Sequence, residues 1–366
     1  MLRTLLTMGV SSITEAMSLK ICFIMYPWEH VEPETDSTLR LIHECVKRGH
    51  TVALSTVNNL TIRDSVASAF CDVFTKENKC SDNIPSFYKN ADFKRVQLPL
   101  AGFDAIIMRA NPPLDTLALN FLDSVRGDAF IMNDLDGLRV ANNKVYTASF
   151  QDTESEFIPA THVSKNREYL ERIFKESDSD RMILKPLDGY GGRGVIVIEK
   201  SAQQSFRSLL DFYIGGDEQG KGSNYVILQD YVEGAHEGDV RILMLNGEPI
   251  GAMKRVPASD DVRSNVHAGG TVVKHKLTAQ EKKLCKYIGP KLVRDGLYFT
   301  GIDVIGGKLI EVNVLSPGGI VRINKLNRVK LQSQVIDFVE SVVQAKEFVM
   351  SRKNEFRQVI EDANAI

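Results

Sequence analysis

Gly301-Ile-Asp303-Val-Ile-Gly306-Gly307-Lys-Leu-Ile-Glu311-Val-Asn313 is the stretch whose reading decides the fold. Its β-branched residues around a glycine pair predict two short strands joined by a tight turn. Side chains alternate faces along a strand, so register decides which of them share a surface. A two-residue turn at Gly306-Gly307 would set Asp303 opposite Ile310 and send Glu311 to the other face. A three-residue loop, Gly306-Gly307-Lys308, sets Asp303 opposite Glu311 and brings Asn313 to the same side. Ile302, Val304, Ile310 and Val312 then share the apolar face. Only this register separates core from polar residues, and it is the one adopted here. Two carboxylates about 4 Å apart repel by roughly 4 kcal/mol at an effective dielectric near 20. A hard divalent cation removes that cost, and an all-oxygen set of Asp303, Glu311 and Asn313 suits Mg²⁺. The competing reading is a solvated hairpin face.

The 366-residue chain is long enough for two or three domains. A net charge of −2 gives no global attraction to nucleic acid or to an anionic membrane, so neither is expected as a partner. Any anionic ligand must be held by local basic groups. The five cysteines, at 22, 45, 71, 80 and 285, show no CxxC spacing, which argues against a zinc site and a disulfide framework and fits a reducing cytosol. No apolar run approaches the length that spans a bilayer. Residues 1–18 read as a loosely ordered extension, because the apolar stretch after Arg3 is too short for a signal peptide.

From 19 to about 133 strand and helix patterns alternate, which predicts a small parallel α/β unit. Leu19–Met25, Thr51–Ser55 and Phe103–Met108 are strands, the last ending at Arg109. Ser37–Lys47 has helical apolar spacing, with Asp36 as N-cap and Gly49 as the stop. The polar segment 75–97 reads as a loop. Asn143–Phe150 reads as helix, 225–232 as a buried strand, and 240–253 as a hairpin turning at Asn246-Gly247. One or two amphipathic helices fill 331–362.

Gly189-Tyr-Gly191-Gly192-Arg-Gly194 satisfies the G-x-G-x-x-G dinucleotide pattern, which requires a helix to follow. Val195-Ile-Val-Ile198 follows instead and reads as a strand. A strand–glycine loop–strand unit makes a flap whose backbone N–H groups can fold over phosphates. Lys185, within an apolar strand just before it, needs a partner such as a nucleotide phosphate, unless it is an edge-strand lysine reaching water. Gln229, Asp230, Tyr231 and Val232 end an apolar strand whose backbone could meet an adenine edge. Arg241, Arg255, Arg263 and Asn265 precede the carboxylate hairpin, and arginine forks suit carboxylates and phosphates. Arg109 ends a parallel strand, where α/β sheets place ligand contacts. His267 reads as structural. Ser316-Pro-Gly318-Gly319 is a turn beside the metal patch that can contact substrate.

Taken together, these blocks resemble the ATP-grasp superfamily, in particular bacterial-type glutathione synthetases. The resemblance covers about 19–325. It rests on Met108-Arg-Ala-Asn-Pro-Pro-Leu-Asp115, Leu138-Arg-Val-Ala-Asn-Asn-Lys144, Ile183-Leu-Lys-Pro-Leu-Asp-Gly-Tyr-Gly-Gly192, Asp239-Val-Arg241, Arg263-Ser-Asn-Val-His-Ala-Gly-Gly270 and the 301–317 hairpin with its Ser-Pro. It implies an α/β and α+β protein: an N-terminal α/β substrate domain (19–133), an ATP-grasp lobe carrying the glycine flap (134–232), and a catalytic lobe with the C-terminal helices (233–366). It implies ATP with two Mg²⁺, Mn²⁺ being an acceptable replacement. Lys144 and Lys185 would hold phosphates, the 229–232 strand end would face adenine, and the 189–194 flap and 215–223 loop would act as lids. Asp303, Glu311 and Asn313 would bind the metal, Arg241 would stabilise the transferring phosphoryl group, and Arg263 and Asn265 would lie near substrate. The implied reaction joins γ-glutamylcysteine to glycine in a cytoplasmic homo-oligomer. Two departures from the family pattern are Gly318-Gly319, where a polar residue usually follows the Ser-Pro, and a longer, glycine-rich stretch at 210–224. They keep open another ligase of carboxylate and amine, such as an amino-acid or peptide glutamate ligase, and, more remotely, a non-catalytic ATP-binding protein.

Overall fold

A computed structural model of the protein describes residues 18–75, 80–187, 194–215, 222–257 and 270–364. The first sheet is built from β1 (Lys20–Met25), β2 (Thr51–Ser55), β3 (Leu60–Arg63), β4 (Val66–Phe74), β5 (Phe93–Pro99), β6 (Ala105–Arg109) and β7 (Phe130–Met132), with α1 (Ser37–Lys47), α2 (Ile84–Lys89) and α3 (Thr116–Asp123) between them. β1 lies between β2 and β6, and β7 extends the sheet beside β6, all parallel. α1 begins where expected, with Asp36 accepting from the Leu39 amide at 2.7 Å. It stops at Gly49, whose φ of 82° is open to glycine. The sheet is not purely parallel, and the described residues of 75–97 are not all loop. β4 pairs antiparallel with β2, β3 and β5, and α2 occupies 84–89. β5 lies at the sheet margin with Lys94 and Arg95 exposed, so its polar residues mask the strand.

α4 (Leu135–Ala141) and α5 (Val145–Ala148) lead into the second sheet, so the helix expected over 143–150 is a single short turn. That sheet comprises β8 (Thr161–Ser164), β9 (Arg181–Pro186), β10 (Ile196–Glu199) and β11 (Val226–Asp230), ordered β10-β9-β11-β8 and antiparallel throughout. One face, including Met182, Leu184, Ile198 and Leu228, packs on α6 (Arg167–Glu176) and α7 (Gln203–Ile214) through Phe174 and Phe206, whose rings stack at 4.2 Å. A strand does follow the glycine cluster, with Ile196 opposite Leu184, which removes the dinucleotide reading. The first residues of the expected 210–224 loop belong to α7.

The third sheet has the order β14-β13-β12-β15-β16. Its strands are β12 (Asp239–Leu245), β13 (Glu248–Val256), β14 (Thr271–Lys274), β15 (Phe299–Ile305) and β16 (Lys308–Asn313). β12 and β13 turn at Asn246-Gly247, as expected. In the 301–313 hairpin Gly301, Ile302 and Asp303 face Asn313, Val312 and Glu311, the expected pairs. The connection differs. Ile305 pairs with Lys308, so the turn is the two-residue Gly306-Gly307, at φ 54° and 78°. A bulge at Ile310 absorbs the odd residue, and Leu309, fully buried, fills the core place assigned to Ile310.

α8 (Ala279–Arg294) covers the apolar face of this sheet, where Leu284, Ile288 and Leu292 join the cluster of Ile242, Ile302 and Val304. After α9 (Ile320–Asn327), one long helix, α10 (Leu331–Asn364), packs against α1. Arg48 fixes that contact through Asp337 at 2.7 Å and Glu340 at 2.8 Å. Asn133, at the end of β7, joins the first sheet to the third. It donates to the Phe299 and Val314 carbonyls at 2.8 and 2.9 Å and accepts from the Phe299 amide at 2.7 Å.

α8 crosses the β12–β13 turn so closely that a Cβ on Gly289 would stand 2.3 Å from the Gly247 carbonyl oxygen. Two backbones meet there, and neither has a flexible end to move. Gly289→Ala is therefore predicted to cost about 2 kcal/mol and to lower the thermal midpoint by several degrees. An unchanged melting curve would contradict this packing.

Candidate active site

Strand register assembles the site. On the face of the third sheet turned away from α8, Arg241 lies directly opposite Asp303, Asp239 opposite Arg255, and Asp303 opposite Glu311. Arg241 forks Asp303, Nε to Oδ1 at 2.5 Å and Nη2 to Oδ2 at 2.9 Å. Arg255 forks Asp239 at 2.6 Å for both bonds, and its Nη2 also reaches Asp303 Oδ1 at 2.9 Å. Asn313 Nδ2 donates to Asp303 Oδ2 at 3.2 Å. Four donors thus engage the two oxygens of Asp303, which fills its lone-pair sites. Burial pushes the Asp303 carboxyl up, but the Arg241 and Arg255 guanidiniums outweigh it and hold the group at about 2. Burial also works against charge on Arg255, yet Asp303 and Asp239 raise it above the ordinary arginine value. The fork of Arg255, read in the sequence as suited to a carboxylate or phosphate ligand, is thus engaged by Asp239 and Asp303. Asp239 went unassigned in the sequence, although its i, i+2 spacing from Arg241 placed both on one face.

Glu311 is the more open carboxylate, with about 32% of its side chain exposed and Lys144 Nζ at 3.6 Å from Oε1. Burial at the cleft floor and the neighbouring Asp303 charge raise its pKa, against the pull of Lys144, Lys185 and Arg241. Lys185 reaches the same place from the second sheet. β9 lies between β10 and β11 and Lys185 is 6% exposed, so it is not an edge lysine. Its Nζ donates to Gln229 Oε1 at 3.0 Å. Burial, helped by the Lys144 charge and opposed by Glu311, lowers Lys185 to about 8. The two lysines and two carboxylates therefore converge between the second and third sheets.

The neighbouring wall is the 316–320 segment. Ser316 Oγ meets Asn111 Oδ1 at 3.0 Å, Arg109 Nη2 donates to the Pro317 carbonyl at 3.1 Å, and Arg241 Nη1 donates to the Gly318 carbonyl at 3.3 Å. The Gly319 and Ile320 amides donate to Ser37 Oγ at 3.1 and 3.2 Å. Arg109 is 2% exposed and also donates to Thr38 Oγ1 at 2.9 Å. Gly319 sits at φ 127°, a position for glycine, whereas a Cβ on Gly318 would meet nothing within 4 Å. At the 229–232 strand end the Asp230 and Tyr231 amides donate to the Ala160 and Arg181 carbonyls, at 2.9 and 3.2 Å. The Asp230 and Tyr231 amides are therefore already engaged within the fold. Gly189, Gly191, Gly192, Arg263, Asn265 and His267 lie outside the described residues.

An antiparallel sheet facing a second sheet, with lysines from one side and carboxylates from the other, is the architecture of the ATP-grasp ligases. Enzymes of this class form C–N bonds between small-molecule or peptide substrates, using ATP and Mg²⁺. Residues 143–328 match the family model "Prokaryotic glutathione synthetase, ATP-grasp domain", and residues 19–139 match "Prokaryotic glutathione synthetase, N-terminal domain". The chain is 35% identical over 334 residues to a glutathione synthetase of Gloeobacter violaceus, covering 88% of this chain and 96% of that one. It is 33% identical over 338 residues to one from Nostoc, covering 89% and 99%. Among solved structures, the ATP-grasp ligase PsnB complexed with a minimal precursor, Mg and ADP aligns with a TM-score of 0.56 at 13% identity, over 88% of this chain and 98% of that one. The chain belongs to the prokaryotic glutathione synthetase family.

The donor set fits the nucleotide and cation of that class. Burial and then the Asp303 charge raise the Glu311 pKa, and a hard cation relieves the repulsion between the two carboxylates. With burial lowering it to about 8, Lys185 loses its charge as pH rises through that value. Affinity for a non-hydrolysable ATP analogue, measured by calorimetry without acid substrate, is therefore predicted to fall as pH rises through about 8. Affinity that climbs across that range would contradict a phosphate-facing Lys185.

Proposed function

We propose that this chain is a glutathione synthetase that condenses γ-glutamylcysteine with glycine and converts ATP to ADP and phosphate. The observation that carries the reading is the convergence of Lys144, Lys185 and Glu311 beside the Arg241–Asp303 fork, in a chain of this family. A carboxylate is a poor electrophile. Moving the γ-phosphoryl group onto it gives an acyl phosphate, which the amine attacks to form the amide and release phosphate. Such a transfer needs positioning and charge stabilisation more than an acid or base.

Lys144 and Lys185 are assigned to the phosphates, and Val232 with Gln229, Asp230 and Tyr231 to the adenine side. Asp303, Glu311 and Asn313 are assigned to two Mg²⁺, with Mn²⁺ able to replace them. Rotation of the Asn313 amide would turn its oxygen toward the ion and free one lone pair of Asp303. Bound Mg²⁺ neutralises charge on the phosphates. Arg241 is placed to meet the transferring group, and Arg255 keeps Asp303 ionised behind it. Arg109, Ser316, Gly318 and Gly319 line the substrate side, and Arg263, Asn265, the glycines at 189, 191 and 192 and the 215–223 loop are assigned to closure, which keeps water from the acyl phosphate. Domain limits near 133 and 232, a cytoplasmic location and a homo-oligomer complete the proposal. No described helix is long and apolar enough to cross a membrane.

A ligase of a different acid and amine is the second reading, favoured by Gly318, where the open space would admit a side chain. Purified protein with Mg²⁺, ATP, γ-glutamylcysteine and glycine is predicted to release phosphate and form glutathione. Phosphate release with only another acid–amine pair would remove the substrate assignment and leave the class intact. Glu311→Gln is predicted to cut turnover by at least about a hundredfold, the scale of losing one major transition-state contact. Near-normal turnover in that variant would overturn the metal assignment.

A further inference from the structure

The second sheet carries a polar row on the face opposite its core. Register sets Thr161 of β8 directly opposite Gln229 of β11, and Ile227 of β11 opposite Lys185 of β9. Gln229 and Lys185 are therefore diagonal neighbours on one face, within reach of long side chains. The hydrogen bonds have a fixed direction. Thr161 Oγ1 donates to the Pro159 carbonyl at 2.6 Å. A hydroxyl has one hydrogen, so toward Gln229 it must accept. Gln229 Nε2 supplies that donor at 2.7 Å, which leaves Oε1 as the atom facing Lys185 Nζ at 3.0 Å. The amide orientation follows from this chain of donors and acceptors. Gln229 is 4% exposed and Lys185 6%, so neither end can exchange its partner freely for water.

An isolated buried ammonium has a choice of rotamers and a strong incentive to lose its proton. Gln229 Oε1 takes one of its three N–H donors and leaves two for other acceptors, while the charges of Glu311 and Lys144 both act on Lys185. The acceptor is neutral, so it orients the ammonium without cancelling its charge. A carboxylate at this position would hold the ammonium and compete with a phosphate.

We propose that Gln229 is a positioning residue for nucleotide binding, whose side-chain carbonyl, oriented by the Thr161–Pro159 relay, holds the Lys185 ammonium in place for a phosphate oxygen. The assignment rests on the reading that Lys185 meets nucleotide phosphate. It gives the Gln229 side chain a role distinct from a backbone contact with adenine.

Gln229→Met keeps the side-chain length and removes the acceptor. It is expected to weaken the equilibrium Kd for a non-hydrolysable ATP analogue about tenfold and to raise KM for ATP similarly. The KM values for acid and amine should be unchanged and kcat should stay within about threefold. Gln229→Glu is expected to weaken the analogue at least as much, because it neutralises the lysine. Thr161→Val, which frees the Gln229 amide to turn, should give a smaller loss of about threefold in the same constants. Wild-type analogue affinity in Gln229→Met would overturn the proposal, as would a fall in kcat together with a rise in all three KM values. If Gln229→Met does not fold, Thr161→Val decides: unchanged analogue affinity overturns the proposal, and a selective nucleotide loss supports it. A wild-type protein that fails to bind the analogue would instead remove the underlying assignment of Lys185.

Discussion

Asp239, Arg255, Asp303 and Arg241 form a buried row of alternating charge across β12, β13 and β15, and the site depends on it. Each member is less than a tenth exposed, so removal of any one would strand a charge, a loss on the order of 3–5 kcal/mol. The row sums to zero charge, which makes its burial tolerable. It also pins register. A one-residue slip of β15 against β12 would turn Asp303 into the α8 core and Ile302 into the cleft. The energetic consequence is a division of labour between two carboxylates. Asp303 is saturated with donors and held at about 2, while Glu311 is pushed upward by burial and by that fixed negative charge.

The same row reaches outward. Arg241 donates to the Gly318 carbonyl, and Arg109 of the first sheet donates to the neighbouring Pro317 carbonyl. Ser37, at the start of α1, receives the next two amides, which closes the first turn of α9. The N-terminal sheet therefore shapes the 316–320 loop, although it brings no carboxylate to the Asp303–Glu311 patch. By contrast, the second sheet has a core of its own with α6 and α7, and it meets the patch through Lys185 and the nearby Lys144. A lobe with a separate core can shift as a body while the arginine row stays fixed.

Much of this was legible in the sequence, and the hairpin shows where legibility ended. Segregation of apolar and polar residues correctly paired Asp303 with Glu311. The glycine pair correctly signalled a two-residue turn. The two signals conflict by one residue, and a three-residue loop is the sequence reading that reconciles them. The protein resolves it with a bulge at Ile310, which no local pattern announces. Lys185 was legible as a charge out of place in an apolar strand, but its partner was not. Thr161, Gln229 and Lys185 meet diagonally across three strands, and only the register of distant segments brings them together. β5 was hidden for the opposite reason: a strand at the margin of a sheet can carry charge on its open side and so read as loop.

The central claim is that this site activates a carboxylate by taking it through an acyl phosphate. The direct test follows oxygen. γ-Glutamylcysteine labelled with ¹⁸O in its cysteinyl carboxylate is turned over with ATP, Mg²⁺ and glycine, and the released phosphate is weighed by mass spectrometry. The account predicts one labelled oxygen in each phosphate, carried from the acid when the amine displaces it. Amide formation with unlabelled phosphate would contradict it.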